Sequence, residues 1–358
     1  MQKLLKPKAL KQGDKVASVS LSWGGAGVFR AFYQKAKKQF ETTFDVRLVE
    51  MPHTLDTPQE LYDNPAYRLD DLMQAFLDPS VRAILCTIGG DDTIRLLSHM
   101  TDKHFDIIRK NPKIFLGMSD TTVNHFMCLK AGLSSFYGPS LMYGYAEPDG
   151  VPELTRLNTL QTLFNAQPIG ILQESQTYRV ERFDWAQDNP QTPAKLSSPH
   201  SKYIQGRKSA TGRLIGGCME VLNMINGTPL WPNLDQWQDT ILFLETSEEM
   251  PPASQLLYFL RNLGAQGVLD KLQGILFARP GGDFAPDQQQ EQAQWLAHFG
   301  DYDKALLQAL AEFERSDIPV VTHMDFGHTV PQNILPYGVL CEIDPVQKRV
   351  AILESAVV

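Results

Sequence analysis

The stretch Phe115–Phe126, FLGMSDTTVNHF, changes character half-way along. Its first residues are continuously apolar, as in a strand buried on both faces, whereas Thr121–Lys130 carries helical spacing. Ser119 stands at the change. A serine there has an ordinary job, because its hydroxyl can cap the free N–H groups of a first helical turn, and the Asp120 carboxylate could do the same. It also has a chemical one. Gly117-Met118-Ser119-Asp120-Thr121 approximates the G-x-S-x-G elbow, the tight turn that lifts a nucleophile above a sheet edge, with Thr121 in place of the last glycine. Ligands of open α/β sheets bind beyond the carboxyl ends of the strands, where Ser119 would lie. On position alone both readings stand.

Outward from this stretch, strand and helix signals alternate. Lys15–Leu21, Asp45–Met51, Ala83–Ile88 and Lys113–Gly117 read as strands, and Val28–Glu41, Gln59–Leu77, a segment beginning near Asp92 and Thr121–Lys130 as helices. Short apolar strands alternating with helices indicate a parallel, doubly wound α/β sheet over residues 1–147. The signal then weakens. Residues 148–206 read as a linker or insert, since Asp184–Gly206 is polar, proline-bearing and almost without periodicity. Isolated strands at Thr240–Glu245, Gly274–Ala278, Pro319–His323 and Gly338–Ile343, with helices at Ala253–Leu263 and Asp303–Arg315, suggest a mixed α+β domain over 207–358.

At 358 residues, two domains are the natural expectation. A net charge of -8 argues against a nucleic-acid partner, which would require a basic face. The four cysteines, Cys86, Cys128, Cys218 and Cys341, form no CxxC pair and fit reduced thiols in the cytoplasm. The N-terminal stretch has lysines but no apolar core of signal-peptide length, and no run of about 18 apolar residues predicts a membrane span.

If Ser119 is a nucleophile, it needs a base and an orienting acid. His125 lies on the same helix and is turned away. His53, His99, His104, His200 and His298 have polar or helical surroundings, and His323 falls inside an apolar strand. His328 differs, following a strand in MDFGHT beside Gly327, although a loop histidine is often only structural. Glu245 closes the apolar strand TILFLE, either simply where it meets water or as the acid that orients His328. Glu248 and Glu249 read as the solvated start of a helix. Oxyanion donors would be the Asp120 amide and the Gly89-Gly90 turn, whose plainer reading is a tight turn. Two other chemistries compete. The Gly-rich SWGGAG after the first strand would suit a non-catalytic binder of a nucleotide or cell-wall fragment, but Arg30 stands where the dinucleotide fingerprint needs glycine or alanine. A metal site from His323, Asp325 and His328 lacks a standard spacing and a fourth ligand.

CTIGGDDTIRLL, FLGMSDTT, GRLIGGCMEVLNMINGTPLWP and FGHTVPQNILPYG, with LFLETSEE between the last two, together resemble the LD-carboxypeptidase family of serine peptidases, which includes the microcin C self-immunity hydrolases. The resemblance implies a nucleophile, acid and base at Ser119, Glu245 and His328. It implies a flavodoxin-like first domain with the serine, a swivelling β/α second domain with the other two, and an active site closing across the domain interface in a homodimer. Gly90 and Asp120 match the oxyanion-hole region, and no metal or organic cofactor is expected. The substrate would be a small peptide or peptidyl-nucleotide-like conjugate. Total length, the IGGDD form and the long insert are more similar to the microcin-immunity branch, which implies a substrate contact for Trp185; the alternative is a tryptophan that anchors the insert to the core. Cys218 departs from the Gly-Gly-Asn common in the family.

Overall fold

The computed structural model describes residues 3–188, 190, 192–198, 200–285 and 287–358. Of the stretch 148–206, Asn189, Gln191 and Pro199 lie outside the described residues. Five strands of the first domain, β1 (Lys15–Val19), β2 (Arg47–Glu50), β3 (Val81–Cys86), β4 (Ile114–Gly117) and β5 (Phe136–Tyr137), form one parallel sheet in the order 2-1-3-4-5. That is the flavodoxin-like doubly wound order, whose crevice opens at the carboxyl ends of the strands. A further strand, Leu335–Pro336, comes from far along the chain and adds antiparallel to β5.

The helices follow from their apolar spacing. Arg30–Phe44 buries Phe32, Tyr33, Ala36, Phe40 and Phe44 along one stripe. The helix expected over Gln59–Leu77 is two, Pro58–Asp63 and Pro65–Leu77. Pro65 has no N–H to continue the first and disfavours helical backbone at Asn64, yet suits the opening turn of the second. The segment after Asp92 is a tight 3-10 turn, Thr93–His99, followed by the helix Asp102–Lys110.

The second sheet has eight strands in the order Gly170–Ile171, Arg349–Ile352, Leu340–Asp344, Ala210–Cys218, Thr240–Glu245, Leu272–Ala278, Val320–Met324 and Lys202–Gln205. Ala210–Cys218 through Val320–Met324 run parallel, and the flanking strands run antiparallel. Every residue of Thr240–Glu245 and Val320–Met324 is buried, as expected where both faces of a parallel sheet are covered. Both outermost strands, Gly170–Ile171 and Lys202–Gln205, come from the weakly patterned stretch 148–206. Backbone pairing at a sheet edge does not require a strong apolar alternation, so composition alone gave no sign of them.

One continuous hydrophobic core runs through both sheets. At their junction Tyr337 donates to the Gly216 carbonyl, and its ring stacks on His125 at 4.9 Å. The Cys218 N–H donates to Thr122 Oγ1 at 3.2 Å. The carboxyl end of Ala210–Cys218 therefore abuts the turn that carries Ser119.

Candidate active site

Ser119 follows β4 after Met118. Its φ of +60° is left-handed backbone that an L residue seldom adopts, at about 1–3 kcal/mol, and the surroundings hold it there. The Ser119 N–H donates to the Tyr137 hydroxyl at 3.0 Å, and the Ser119 carbonyl accepts from Thr122 Oγ1 at 2.7 Å. The hydroxyl caps nothing. Nor does the Asp120 carboxylate cap the helix: it accepts from Ser22 Oγ at 2.5 Å and from the Thr93 N–H and hydroxyl at 2.8 and 2.5 Å. Asp120 thereby ties the elbow to the loops after β1 and β3. Arg68, itself buried, bonds Asp92 beside them.

The Gly89-Gly90 turn lies against the serine. A β-carbon on Gly89 would stand 2.9 Å from Ser119 Cβ and 3.1 Å from its Oγ, so only glycine leaves the hydroxyl free. The Gly89 carbonyl is occupied by the Trp23 N–H at 3.1 Å. The N–H groups of Gly90 and Asp120 have no acceptor among the described residues.

Glu245 is fully buried at the end of its strand. A carboxylate removed from water is tolerable only if donors replace the water. Oε1 accepts from the Tyr137 hydroxyl; Oε2 accepts from His328 Nδ1–H at 2.6 Å and from the His328 backbone N–H at 3.3 Å. Gly327 makes this approach possible: its φ is +79°, and a β-carbon there would lie 2.7 Å from the Glu245 side chain. Burial, with Glu245 beside it, pushes the Tyr137 phenol well above its usual range, so it remains a proton donor to the acid. Tyr137 thus links the backbone of Ser119 to the carboxylate that holds His328.

The other nitrogen of His328, Nε2, faces Glu248 Oε2 at 3.0 Å. Carboxylates only accept, so both ring nitrogens carry protons in this arrangement. Burial disfavours the charged ring, but Glu245 and then Glu248 outweigh it and hold its pKa well above the usual histidine range. Burial alone would likewise raise the Glu248 carboxyl; the imidazolium overrides it and carries that group down to about 2. In this arrangement Nε2 is ion-paired with Glu248 and makes no hydrogen bond to Ser119 Oγ.

The remaining sequence candidates have other partners. His125 bonds the Gly117 carbonyl through Nε2 and Ser135 Oγ through Nδ1, both at 2.9 Å, and burial pushes it down to about 3. It is a neutral core histidine that secures the end of β4. His323 faces Asp303 at 3.7 Å, and Asp325 pairs with Arg279. With His328 held by glutamates, the His323–Asp325–His328 trio is dispersed, and no group of three metal-ligating side chains occurs among the described residues. Trp185 packs on Phe32 (5.2 Å, near-parallel), Phe29 and Trp23. Trp23 belongs to the loop that bonds Gly89. The Cys218 thiol is buried, 3.4 Å from Glu220. No helix among the described residues is long and apolar enough to cross a membrane. Sequence reasoning missed Tyr137, whose two-residue strand carries almost no pattern, and set Glu248 aside as a solvated charge.

Comparison with known proteins identifies the family. Residues 16–138 match the LD-carboxypeptidase N-terminal domain, and residues 211–343 match the LD-carboxypeptidase C-terminal domain. The chain belongs to the LD-carboxypeptidase family. Among curated members, it is 28% identical to the microcin C7 self-immunity protein MccF of Escherichia coli over 80% of this chain and 78% of that one. It is also 28% identical to a probable murein peptide carboxypeptidase of Bacillus subtilis, over 98% and 95%. Among solved structures, an MccF-like protein from Streptococcus pneumoniae in complex with AMP superposes with a TM-score of 0.78 at 29% identity, covering 95% of this chain and 99% of that one. Both the parallel first sheet and the mixed second sheet are the family's fold.

Proposed function

We propose that this protein is a serine-type carboxypeptidase that cleaves a terminal amide of a small peptide or peptide conjugate. Ser119 Oγ attacks the carbonyl while His328 Nε2 takes its proton. Glu245 fixes the ring through Nδ1 and stabilises the imidazolium. The oxyanion is received by the N–H groups of Gly90 and Asp120. His328 then gives its proton to the leaving amine, and water frees the acyl-enzyme by the same route. The observation that carries this reading is the Ser119–Tyr137–Glu245–His328 chain of hydrogen bonds, which spans both domains and meets at a strained serine.

The AMP complex of the Streptococcus relative supports a nucleotide-bearing leaving group as one substrate type. Trp23, exposed at the edge of the Trp185–Phe29 cluster, supplies an aromatic surface against which a base can stack. The murein relative supports peptides ending in a D-residue as the other. Four buried, unpaired cysteines suit a reducing cytoplasm, and a homodimer is the expected assembly. The test is hydrolysis of a cell-wall tetrapeptide and of an aminoacyl-nucleotide amide, each with Ser119→Ala as control. Release of the terminal group by the unmodified protein alone supports the proposal. Tight binding of either compound without turnover would instead favour a binding protein working through the crevice.

A further inference from the structure

Glu248 occupies the position from which the base must act. Its Oε2 lies 3.0 Å from His328 Nε2, the nitrogen that has to receive the Ser119 proton. The loop around it is fixed: the Ser247 N–H and hydroxyl donate to Glu220 Oε1 at 2.9 and 2.5 Å. A β-carbon on Gly281 would collide with the carbonyls of Thr246 and Ser247 and with His328 Cβ, so the loop is packed closely on the ring. The Glu248 side chain, by contrast, is 52% exposed and can leave by rotating about its own bonds. What it leaves behind must be compensated. Around the ring stand Glu245 at Nδ1, Glu248 at Nε2 and Tyr143, whose ring centre is 6.3 Å away; Tyr137 reaches it through Glu245. A further acid, Asp283, feels the charge of Glu248 and is paired with Arg182. No cation on the protein other than the imidazolium bonds to Glu248 among the described residues.

We propose that Glu248 binds a primary ammonium on the acyl residue of the substrate, and that this ammonium draws the carboxylate away from His328 and so frees the base. The proposal rests on the serine-hydrolase reading. It narrows the substrates to amides whose acyl residue carries a free amine next to the scissile carbonyl, which favours the aminoacyl-nucleotide type over a tetrapeptide, whose penultimate residue has its α-nitrogen in a peptide bond. An α-ammonium is two bonds from that carbonyl carbon, so a substrate seated over Ser119 brings its positive charge to the region Glu248 already occupies. Once the ammonium takes the carboxylate, the Nε2 proton passes to water. The exposed lone pair then accepts the Ser119 proton as the Oγ–C bond forms, and returns it to the leaving nitrogen as the C–N bond breaks. A substrate without that charge leaves Glu248 on the ring and meets an imidazolium that cannot accept a proton. Glu248 is thus a specificity-determining residue and a safeguard against idle nucleophilicity.

The test uses L-alanyl-D-alanine and its N-acetyl counterpart. In Ser119→Ala protein, the ring nitrogens of His328 are followed by NMR across a pH series. The expected result is a downward shift of the His328 titration with the free-amine dipeptide and none with the acetylated one. Glu248→Gln added to the same protein is expected to give a downward shift without ligand. Equal shifts with the two dipeptides, no shift with either, or an unchanged titration in Glu248→Gln overturns the proposal. In the active protein, kcat/KM is expected to favour the free amine by about tenfold or more, with that ratio near one in Glu248→Gln. A ratio that survives Glu248→Gln and Glu248→Ala also overturns it. If the unmodified protein cleaves neither dipeptide, nor the cell-wall tetrapeptide or the aminoacyl-nucleotide amide, while the NMR shifts occur as expected, the hydrolase reading falls and the ammonium-binding role of Glu248 stands.

Discussion

The two halves of the candidate site are built in opposite ways. The serine half is held by the backbone: a left-handed residue, an N–H on a tyrosine hydroxyl, a carbonyl on a threonine hydroxyl, and a neutral histidine securing the strand before it. None of these groups changes charge near neutral pH. The histidine half is held by charge, with one imidazole between two carboxylates. On the proposed mechanism, the nucleophile is placed once, by folding, whereas the base is available or not according to which carboxylates face it. Sensitivity to pH and to substrate charge is therefore concentrated in the second domain.

Removing the serine hydroxyl should produce the largest effect. Ser119→Ala is expected to lower turnover by about a million-fold with the fold intact, checked by single-turnover kinetics and circular dichroism. Glu245→Gln attacks the ionic half. It keeps the shape but no longer stabilises the imidazolium or selects its tautomer, and turnover should fall by about ten-thousand-fold. Tyr137→Phe breaks the link between the halves. A hydrogen bond to a buried carboxylate is worth about 1.5–3 kcal/mol, so kcat should drop about ten- to a hundredfold, and activity near wild type would show that the halves do not depend on each other. Gly327→Ala should reduce stability by about 1–3 kcal/mol in urea unfolding, because its backbone is left-handed and a β-carbon would strike Glu245.

The smallest effect is on stability against pH. The His328 pKa in the folded protein lies above its unfolded value of about 6.5. Its contribution is therefore fully present below about 6.5 and lost as pH rises through the raised value. Glu248 has a folded pKa of about 2, below its unfolded value, so its contribution is present above about 4.3 and lost as pH falls through the folded value. Thermal unfolding midpoints across this range should show both limbs, and Glu248→Gln should flatten the acidic one. An unchanged acidic limb would show that exposure leaves the pair too screened to matter.

The same contrast explains what was legible in the sequence. The parallel sheet of the first domain was readable because β1, β3 and β4 are short, mostly apolar and each followed by a helix. Thr240–Glu245 was legible to the residue for the same reason. Ala210–Cys218 escaped notice because three glycines interrupt its apolar pattern, and β5 because two residues have no periodicity. Ser119 was visible as a strand-to-helix serine, and its capping role gave way once the hydroxyl was found free of the helix. Tyr137 and Glu248 could not be found this way. Their significance lies in contacts 108 and 80 residues away along the chain, between Tyr137 and Glu245 and between Glu248 and His328, and local pattern does not encode such distances.

The return of Leu335–Pro336 to the first sheet limits how the molecule can be taken apart. A chimera joined in the stretch between the sheets would leave one donor's tyrosine-bearing edge strand to pair with a foreign neighbour. Recombination between relatives should therefore succeed only when this dipeptide travels with the front half, or when both parents agree there.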